Sequence, residues 1–308
     1  MKAARIHKFG PPEVIVIDDI PRPTPGKDEL LIRVAAAGVG PWDALIREGE
    51  SEVDSSLPIT LGSDLAGIVE EAGSEVSGFK KGDQVYGVTN PKFIGATAEY
   101  AVASAGMVAH KPDKLTLLEA ASVPVVAVTA WQMLHEYAQA KTGQSVLIHG
   151  AGGNVGAYAV QIARLANLKI IATSSAKDSE YVKSLGADEV LDYHAAKFED
   201  QISPVDIVID TVGGETRKRS MEIVKPGGIL VSAVSPVSEE EKVPGVRAVF
   251  FLVEVTTARL NTISELFERG QLVAQVGSVL PLADAQVAHR MLAGAPHKRG
   301  KILLNVNA

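Results

Sequence analysis

Cysteine is absent from all 308 residues of this sequence. Without a thiol there is no disulfide, no thiolate nucleophile and no cysteine-ligated zinc site. The seven histidines show no spacing typical of metal ligands, and no Gly-x-Ser-x-Gly segment supports a hydrolase. Disulfide-stabilised folds, cysteine enzymes and hydrolases built on that serine segment are therefore excluded.

Positive charge and long apolar runs are also scarce. There are 30 basic and 37 acidic residues, for a net charge of −7, and no basic cluster indicates a nucleic-acid or membrane surface. The uncharged stretch Ala120–Leu134 contains Pro124 and is too short to span a bilayer, so it predicts a buried helix. The first residues, Met1–Arg5, lead into a polar strand and not an apolar signal core. We expect a cytoplasmic protein that binds neither nucleic acid nor membrane.

The pattern of apolar residues divides the chain into three segments. Short β segments such as Leu30–Val34 lie between turn signals in the first part, whereas from Val146 apolar runs alternate with helical patterns. This alternation is typical of βαβ units and a parallel sheet. β segments return after Gln271. We predict a β-rich domain over 1–120, a cofactor domain over 121–265, and a last segment, 266–308, that rejoins the first domain. The predicted strands of the parallel sheet are Val146–His149, Lys169–Thr173, Glu189–Asp192, Asp206–Asp210, Ile229–Ala233 and Ala248–Leu252.

A glycine-rich turn lies where the first of these strands ends and a helix begins. Glycine permits a tight turn and a close approach to a pyrophosphate, and a helix N-terminus offers free N–H groups. The spacing is looser than Gly-x-Gly-x-x-Gly, and by itself it is equally typical of tight strand–helix packing. The strand before it and the amphipathic helix after it favour a dinucleotide site. The residues predicted to form it are Gly150, Gly153, Asn154, Val155 and Gly156.

The end of the second strand bears on the choice of dinucleotide. NAD sites usually place an acidic residue there to hold the ribose 2′-hydroxyl. This sequence has Thr173-Ser174-Ser175-Ala176-Lys177. Hydroxyls and an ammonium suit a 2′-phosphate, which a carboxylate would repel. The segment therefore predicts NADPH, held by Ser174, Ser175 and Lys177; the alternative is an ordinary solvated loop before the next helix.

Together these motifs resemble the zinc-independent, quinone oxidoreductase-like branch of the medium-chain dehydrogenase/reductase superfamily. The segments that carry the resemblance are 37–43 (AGVGPWD), 62–69 (GSDLAGIV), 82–87 (GDQVYG), 120–134, the glycine turn, 184–188 (SLGAD) and 299–302 (RGKI). The resemblance implies an α/β fold in which a GroES-like β-barrel catalytic domain, split in sequence, surrounds a Rossmann-type domain. It also implies a homodimer, formed through the edge of the cofactor sheet around Val246–Val255.

The resemblance further implies that zinc is absent. Zinc-dependent members carry a ligand cysteine where Gly40 stands and Gly-His-Glu where this chain has Gly62-Ser63-Asp64. Without a Lewis acid, alcohol oxidation loses its usual stabilisation of the alkoxide. Already activated acceptors, namely quinones and α,β-unsaturated carbonyls, remain feasible. Many quinone reductases have Asn at Gly40 and Tyr at Thr97, so the particular substrate stays open.

Individual site residues also follow from the resemblance. Lys177 and Tyr193 match positions that contact the 2′-phosphate and the adenosine, and Thr129 matches a residue near the nicotinamide amide. Tyr193 is equally well explained as an aromatic covering the sheet edge, and Thr129 as a hydroxyl bonded to its own helix backbone.

Three residues are expected to face the substrate cleft and are the candidates for catalysis. Asp43 either orients groups by hydrogen bonding or caps a helix. Trp42 either stacks on a planar acceptor or packs in the core. Tyr86 either donates a proton from its phenol or packs in a turn.

The leading hypothesis is an NADPH-dependent reductase that passes a hydride to a small electrophilic acceptor, a quinone or an enone. The proton would come from solvent, a cofactor ribose hydroxyl or a pocket hydroxyl. One alternative is an enoyl-thioester reductase, which uses the same hydride step. The other is a protein that binds NADPH without turnover.

Overall fold

The computed structural model describes residues 1–51 and 56–306. The chain forms two compact units: unit 1 comprises Met1–Val125 and Val255–Ala308, and unit 2 comprises Val126–Glu254. The predicted mixed α/β class is confirmed. The boundaries differ from the predicted ones, because the chain returns to unit 1 at Val255, earlier than residue 266.

The first segment of unit 1 is mostly β-structure. In chain order its elements are β1 (Lys2–Ile6), β2 (Ile15–Asp19), β3 (Glu29–Val39), α1 (Pro41–Glu48), β4 (Ile59–Thr60), β5 (Asp64–Ala72), β6 (Gln84–Val88), β7 (Tyr100–Ser104), β8 (Val108–His110) and α2 (Leu117–Ala121). The long strand β3 is buried along most of its length and pairs with both β5 and β7. It therefore holds the unit together.

Unit 2 alternates strands and helices. Its elements are α3 (Pro124–Trp131), which begins just before the unit, a π-helix (Gln132–Tyr137), β9 (Ser145–Ile148), α4 (Asn154–Leu165), β10 (Lys169–Ser174), α5 (Ser179–Ser184), β11 (Glu189–Asp192), β12 (Val205–Asp210), α6 (Gly214–Met221), β13 (Val224–Ser232) and β14 (Arg247–Phe250). The stretch predicted as one buried helix, Ala120–Leu134, is instead interrupted before Pro124, since proline favours the first turn of a new helix. Within the described residues, no helix is long and apolar enough to cross a membrane.

The strands of unit 2 form one parallel sheet in the order β11–β10–β9–β12–β13–β14 over the described residues. This is the Rossmann strand order, which reverses between β9 and β12. Helices cover parallel sheets on both faces, so their central strands are continuous apolar runs. In β9, Val146, Leu147 and Ile148 are fully buried, and each contributes roughly 1.5–3 kcal/mol.

The last segment completes unit 1. Its elements are α7 (Thr257–Glu268), β15 (Val276–Pro281), α8 (Ala285–Leu292) and β16 (Lys301–Asn305). Strand β16 pairs with β3, so that the larger sheet of the described residues runs β15–β16–β3–β5–β6–β8, with β7 also on β3; a smaller sheet has the order β2–β1–β4. Helix α7 belongs to unit 1 and not to the predicted cofactor segment, because the Tyr86 hydroxyl on β6 donates to the Leu260 carbonyl oxygen at 2.8 Å.

Candidate functional site

The glycine turn of unit 2 joins β9 to α4 at the point where the strand order reverses. Gly150 has a φ of +69°, a region that glycine enters without the penalty that a Cβ imposes. A methyl group built on Gly150 would also overlap Thr211 Oγ1, which donates to the His149 carbonyl oxygen at 2.8 Å. The turn is therefore closed against Thr211, the residue that follows β12, and only glycine fits its first position.

Gly156 sits where α4 leaves the turn. A methyl group there would overlap the Gly150 carbonyl oxygen and lie 2.7 Å from Ala151 Cα. Because no side chain intervenes, the first turn of α4, which contains Asn154 and Val155, starts directly above the strand end. Helix N-termini carry N–H groups without intrahelical partners and a positive dipole. The glycine turn and the first turn of α4 together form a cradle of the kind that holds a pyrophosphate; binding of a dinucleotide there remains a prediction.

His149 fixes the strand ends around this turn. Ser220 Oγ donates to the Thr216 carbonyl oxygen at 2.6 Å, so it accepts from His149 Nε2 at 2.8 Å. His149 Nδ1 then accepts from Thr173 Oγ1 at 3.0 Å. Burial lowers the pKa of His149 to about 4, which keeps the ring neutral in this arrangement. The histidine thus links β9 to the end of β10 and to α6.

The predicted phosphate-binding residues lie together at the carboxyl end of β10. Ser174 is buried and its hydroxyl donates to the Ser175 carbonyl oxygen at 3.1 Å, while Lys177 is exposed. The Tyr193 amide, which follows β11, donates to the Ser174 carbonyl oxygen at 3.3 Å, and the Tyr193 side chain is 54% exposed. Thr129 lies on α3 and is buried. The contacts of these residues with a dinucleotide remain predictions.

Asp178 belongs to the same group, although the sequence did not single it out. Its carboxylate accepts a hydrogen bond from Ser175 Oγ at 2.7 Å. A methyl group built on Gly152 would lie 3.2 Å from Asp178 Cβ and 3.3 Å from Oδ2. A carboxylate therefore lies against the glycine turn itself. The short 3₁₀ helix Ala176–Asp178 brings it there. The sequence prediction for this loop rested on the hydroxyls and on Lys177 and did not include Asp178.

In unit 1, Asp43 occupies the first turn of α1 and is 3% exposed. Its Oδ2 accepts from the Gly40 amide at 2.8 Å, which is the capping contact that the sequence offered as one alternative. Among the described residues, Oδ1 has no hydrogen-bond partner although it is buried. Burial raises the pKa of Asp43 to about 7, against the opposing effect of Lys301 and the Gly40 amide.

Lys301, which the sequence gave no role, lies beside this carboxyl group. Its Nζ is 2.7 Å from Asp64 Oδ2, and both side chains are almost fully buried. The other oxygen of Asp64 accepts from the Val125 amide at 3.0 Å. Breaking a buried pair on one side typically costs 3–5 kcal/mol. Three ionisable residues distant in sequence thus form one buried cluster, Asp43–Asp64–Lys301.

Tyr86 and Trp42, the other two candidates for catalysis, are aromatic side chains that are largely occupied by packing contacts. Tyr86 is fully buried, and its hydroxyl contacts Leu260 O and Ser264 Oγ, at 2.8 and 2.9 Å, so the geometry favours the packing alternative. Burial also raises its pKa. Trp42 is half-buried and packs edge-to-face on Phe93 with ring centroids 6.0 Å apart. Its indole Nε1 is buried without a partner in the described part of the chain. Catalytic roles for both remain predictions.

Asp43→Asn is expected to flatten the pH dependence of stability. The raised pKa means that the folded protein holds this proton more tightly than the unfolded chain, in which the ordinary value is 3.8. The resulting stabilisation is present below about pH 4, is lost as pH rises to about 7, and amounts to on the order of 4 kcal/mol. Urea unfolding of both proteins between about pH 4 and 8 measures it.

The exposed carboxylate variant Asp28→Asn is the control, since it removes the same charge from unit 1. It should retain the wild-type pH dependence. Parallel stability curves for wild type and Asp43→Asn would show that Asp43 titrates as an ordinary carboxyl group.

Comparison with known proteins assigns the family. The alcohol dehydrogenase GroES-like domain matches residues 26–113 and the zinc-binding dehydrogenase family matches residues 185–304. The chain is 32% identical over 324 residues to quinone oxidoreductase from Mus musculus, covering 99% of this chain and 97% of that one. It is 36% identical over 286 residues to 2-methylene-furan-3-one reductase from Solanum lycopersicum, covering 88% and 70%.

A solved structure agrees with these sequence matches. The structure of Escherichia coli quinone oxidoreductase complexed with NADPH superposes with a TM-score of 0.89 at 26% identity, covering 99% of this chain and 100% of that one. The chain belongs to the quinone oxidoreductase branch of the medium-chain dehydrogenase/reductase superfamily. The predicted combination of a Rossmann-type sheet with a GroES-like domain is thereby confirmed.

The residues at the family's zinc position do not fit zinc. Gly40 offers no ligand atom, and a methyl group built on it would lie 3.0 Å from Lys301 Nζ. A buried ammonium group thus lies where a ligand side chain would begin, and it would repel a cation. Ser63 stands where zinc-dependent members have histidine. Within the described residues, no group of three or more His, Asp or Glu side chains is arranged to hold a metal.

Proposed function

We propose that this protein is an NADPH-dependent, zinc-independent oxidoreductase that reduces a quinone or an α,β-unsaturated carbonyl. The observation that carries the proposal is the glycine cradle at the strand reversal of a Rossmann sheet, with hydroxyls and an ammonium at the end of β10. The names of the relatives agree with the two acceptor classes: one is a quinone oxidoreductase and the other a 2-methylene-furan-3-one reductase.

The residues of unit 2 divide the work of holding NADPH. The N–H groups of the first turn of α4, at Asn154 and Val155, face the pyrophosphate. Lys177 holds the 2′-phosphate together with Ser174 and Ser175, whose hydroxyls rotate away from the Ser175 carbonyl oxygen and the Asp178 carboxylate in order to donate to it. Tyr193 lies against the adenosine, and Thr129 contacts the nicotinamide amide. When bound, the nicotinamide supplies a hydride to the acceptor. The protein's own contribution is alignment and the exclusion of water.

Purified protein is expected to contain well below one zinc per chain and to keep its activity in chelators. Lys301 and Asp64 already form a buried ion pair beside Gly40, so the site is neutralised without a metal. Elemental analysis together with assays in a strong chelator measures both quantities. One tightly held zinc per chain on which activity depends would exclude the zinc-independent mechanism.

Lys177→Ala is expected to weaken NADPH binding roughly tenfold and to leave NADH binding nearly unchanged. A charge-assisted contact of a partly exposed ammonium with a phosphate is worth about 1–2 kcal/mol, and only NADPH has the 2′-phosphate. Fluorescence titration with each dinucleotide measures the two affinities. Lys183→Ala, an exposed lysine on α5, is the control. Equal weakening of both cofactors by Lys177→Ala would contradict the assignment.

Two alternatives are separated from this proposal by an acceptor screen. An enoyl-thioester reductase would oxidise NADPH with enoyl thioesters and not with quinones. A non-catalytic binding protein would bind NADPH but would not oxidise it with any acceptor. We expect turnover with quinones or conjugated enals. If neither is reduced, turnover of enoyl thioesters would replace the proposal with an enoyl-thioester reductase, and binding of NADPH without any turnover would replace it with a non-catalytic protein.

We also propose a homodimer formed through β14. This strand stands at the end of the six-stranded order within the described residues, and Leu252, just beyond it, is 60% exposed. An edge strand with an adjacent exposed apolar side chain favours pairing with a second copy. Sedimentation of wild type against a Val249→Lys variant on β14 tests the surface.

A further inference from the structure

The end of β10 presents two opposite charges to the same small region. Lys177 and Asp178 are consecutive residues of one 3₁₀ turn. The Asp178 carboxylate cannot swing away freely, because it accepts from Ser175 Oγ at 2.7 Å and its own amide donates to the Ser175 carbonyl oxygen at 2.9 Å. The loop therefore holds a fixed negative charge beside the position assigned to a doubly charged phosphate.

The Asp178 carboxylate lies close in space to the glycine turn as well as next to Lys177 in the sequence. Asp178 Oδ2 lies 3.3 Å from where a side chain on Gly152 would begin, and Gly152 is part of the turn that faces the pyrophosphate. In Rossmann sites a carboxylate at the end of the second strand accepts from the ribose 2′-hydroxyl. Asp178 lies at the end of the 3₁₀ turn that follows β10, and its carboxylate lies against the glycine turn. The chain thus carries an NAD-type group and an NADP-type group side by side.

We infer that Asp178 is a specificity-determining residue that restrains the preference for NADPH and allows NADH to serve as a second cofactor. The inference rests on the proposed function, since it concerns the ribose end of the same dinucleotide. With NADH, the Asp178 carboxylate accepts a hydrogen bond from the 2′-hydroxyl. With NADPH, the attraction of Lys177 for the 2′-phosphate is partly offset by repulsion from Asp178.

The test is a titration of wild type and Asp178→Asn with NADPH and with NADH, followed by cofactor fluorescence and requiring no acceptor. The amide keeps the size of the side chain and an oxygen that accepts from Ser175. We expect Asp178→Asn to bind NADPH about fivefold more tightly, because one partly screened repulsion between like charges is lost. It should bind NADH more weakly, because the charged acceptor for the 2′-hydroxyl is lost. The change in the NADPH to NADH ratio should shrink at high salt.

Glu180→Gln is the matched control, because it removes the same charge from a side chain that lies two residues away and is 88% exposed. It should leave the ratio at the wild-type value. Asp178→Ser, which also retains a hydrogen-bonding oxygen, is the second variant if the asparagine protein unfolds. An unchanged ratio in the folded Asp178 variants, or the same change in Glu180→Gln, overturns the inference. Failure of wild type to bind either dinucleotide overturns the proposed function itself, and this outcome is distinct from an unchanged ratio.

Discussion

Gly156→Ala is expected to weaken NADPH binding at least about 100-fold while leaving the protein folded. The added methyl group overlaps the Gly150 carbonyl oxygen and lies 2.7 Å from Ala151 Cα, both backbone atoms that no rotamer change can move. Relief requires α4 to shift away from the turn, which moves the N–H groups of Asn154 and Val155 off the pyrophosphate. Overpacking of this kind typically costs 1–3 kcal/mol of stability, and the lost contacts add to the loss of affinity. Isothermal titration with NADPH measures the affinity.

The control for this change is Gly106→Ala. A methyl group on Gly106 meets no atom closer than Ser104 Oγ at 3.9 Å, and its backbone is not in the left-handed region. This variant should bind NADPH as wild type does. Thermal unfolding of both variants without cofactor separates loss of binding from loss of fold. A folded Gly156→Ala protein with wild-type affinity would mean that the dinucleotide does not use this turn.

Reduction of electron-poor acceptors is expected to exceed oxidation of simple alcohols by at least about a thousandfold in kcat/KM. An alcohol must be ionised before it yields a hydride, and in zinc-dependent members the zinc ion stabilises the alkoxide as a Lewis acid. Here Gly40 and Ser63 carry no such ligands, and Lys301 is already neutralised by Asp64. A quinone or enal accepts a hydride without prior ionisation, so alignment suffices. Steady-state assays in the two directions, with NADPH and with NADP, measure the ratio.

The parallel sheet is the part of the fold that the sequence predicted best. The strand Glu189–Asp192 is observed with the predicted bounds, β9 is shifted by one residue at each end, and β12 begins one residue earlier than predicted. β9 and β12 are largely buried, so each contains an apolar run that local sequence reveals. β11 stands at the end of the described strand order and buries only Leu191. The return to unit 1 at Val255 was not predictable in this way, because α7 is held there by contacts with Tyr86, 174 residues earlier in the chain.

The candidate site also contains residues that local sequence predicts and residues that only the fold brings together. The glycine turn and the residues from Ser174 to Lys177 were predicted from adjacent residues whose spacing carries the chemistry. Lys301 was not predicted, because its ion pair with Asp64 forms only when β16 pairs with β3. Asp178 was missed for a different reason: its sequence position is one residue beyond the favourable loop, and only the 3₁₀ turn shows that its carboxylate lies against Gly152.

The buried pair Arg47–His289 gives a further example of contacts that sequence spacing does not show. Arg47 Nη1 donates to His289 Nδ1 at 2.7 Å, which joins α1 to α8. Burial and the neighbouring guanidinium lower the pKa of His289 to about 3, so the ring accepts as a neutral base. Taken from the sequence alone, His289 had no partner, because the two residues are 242 positions apart.

Stopped-flow absorbance of NADPH, mixed with protein and either a quinone or a conjugated enal, tests the central claim most directly. The account predicts rapid, protein-dependent loss of the reduced nicotinamide with at least one of these acceptors, retained in chelator and abolished in Gly156→Ala. It predicts no comparable gain of reduced nicotinamide when the protein is mixed with NADP and a simple alcohol. Brisk alcohol oxidation with no quinone or enal turnover would contradict it.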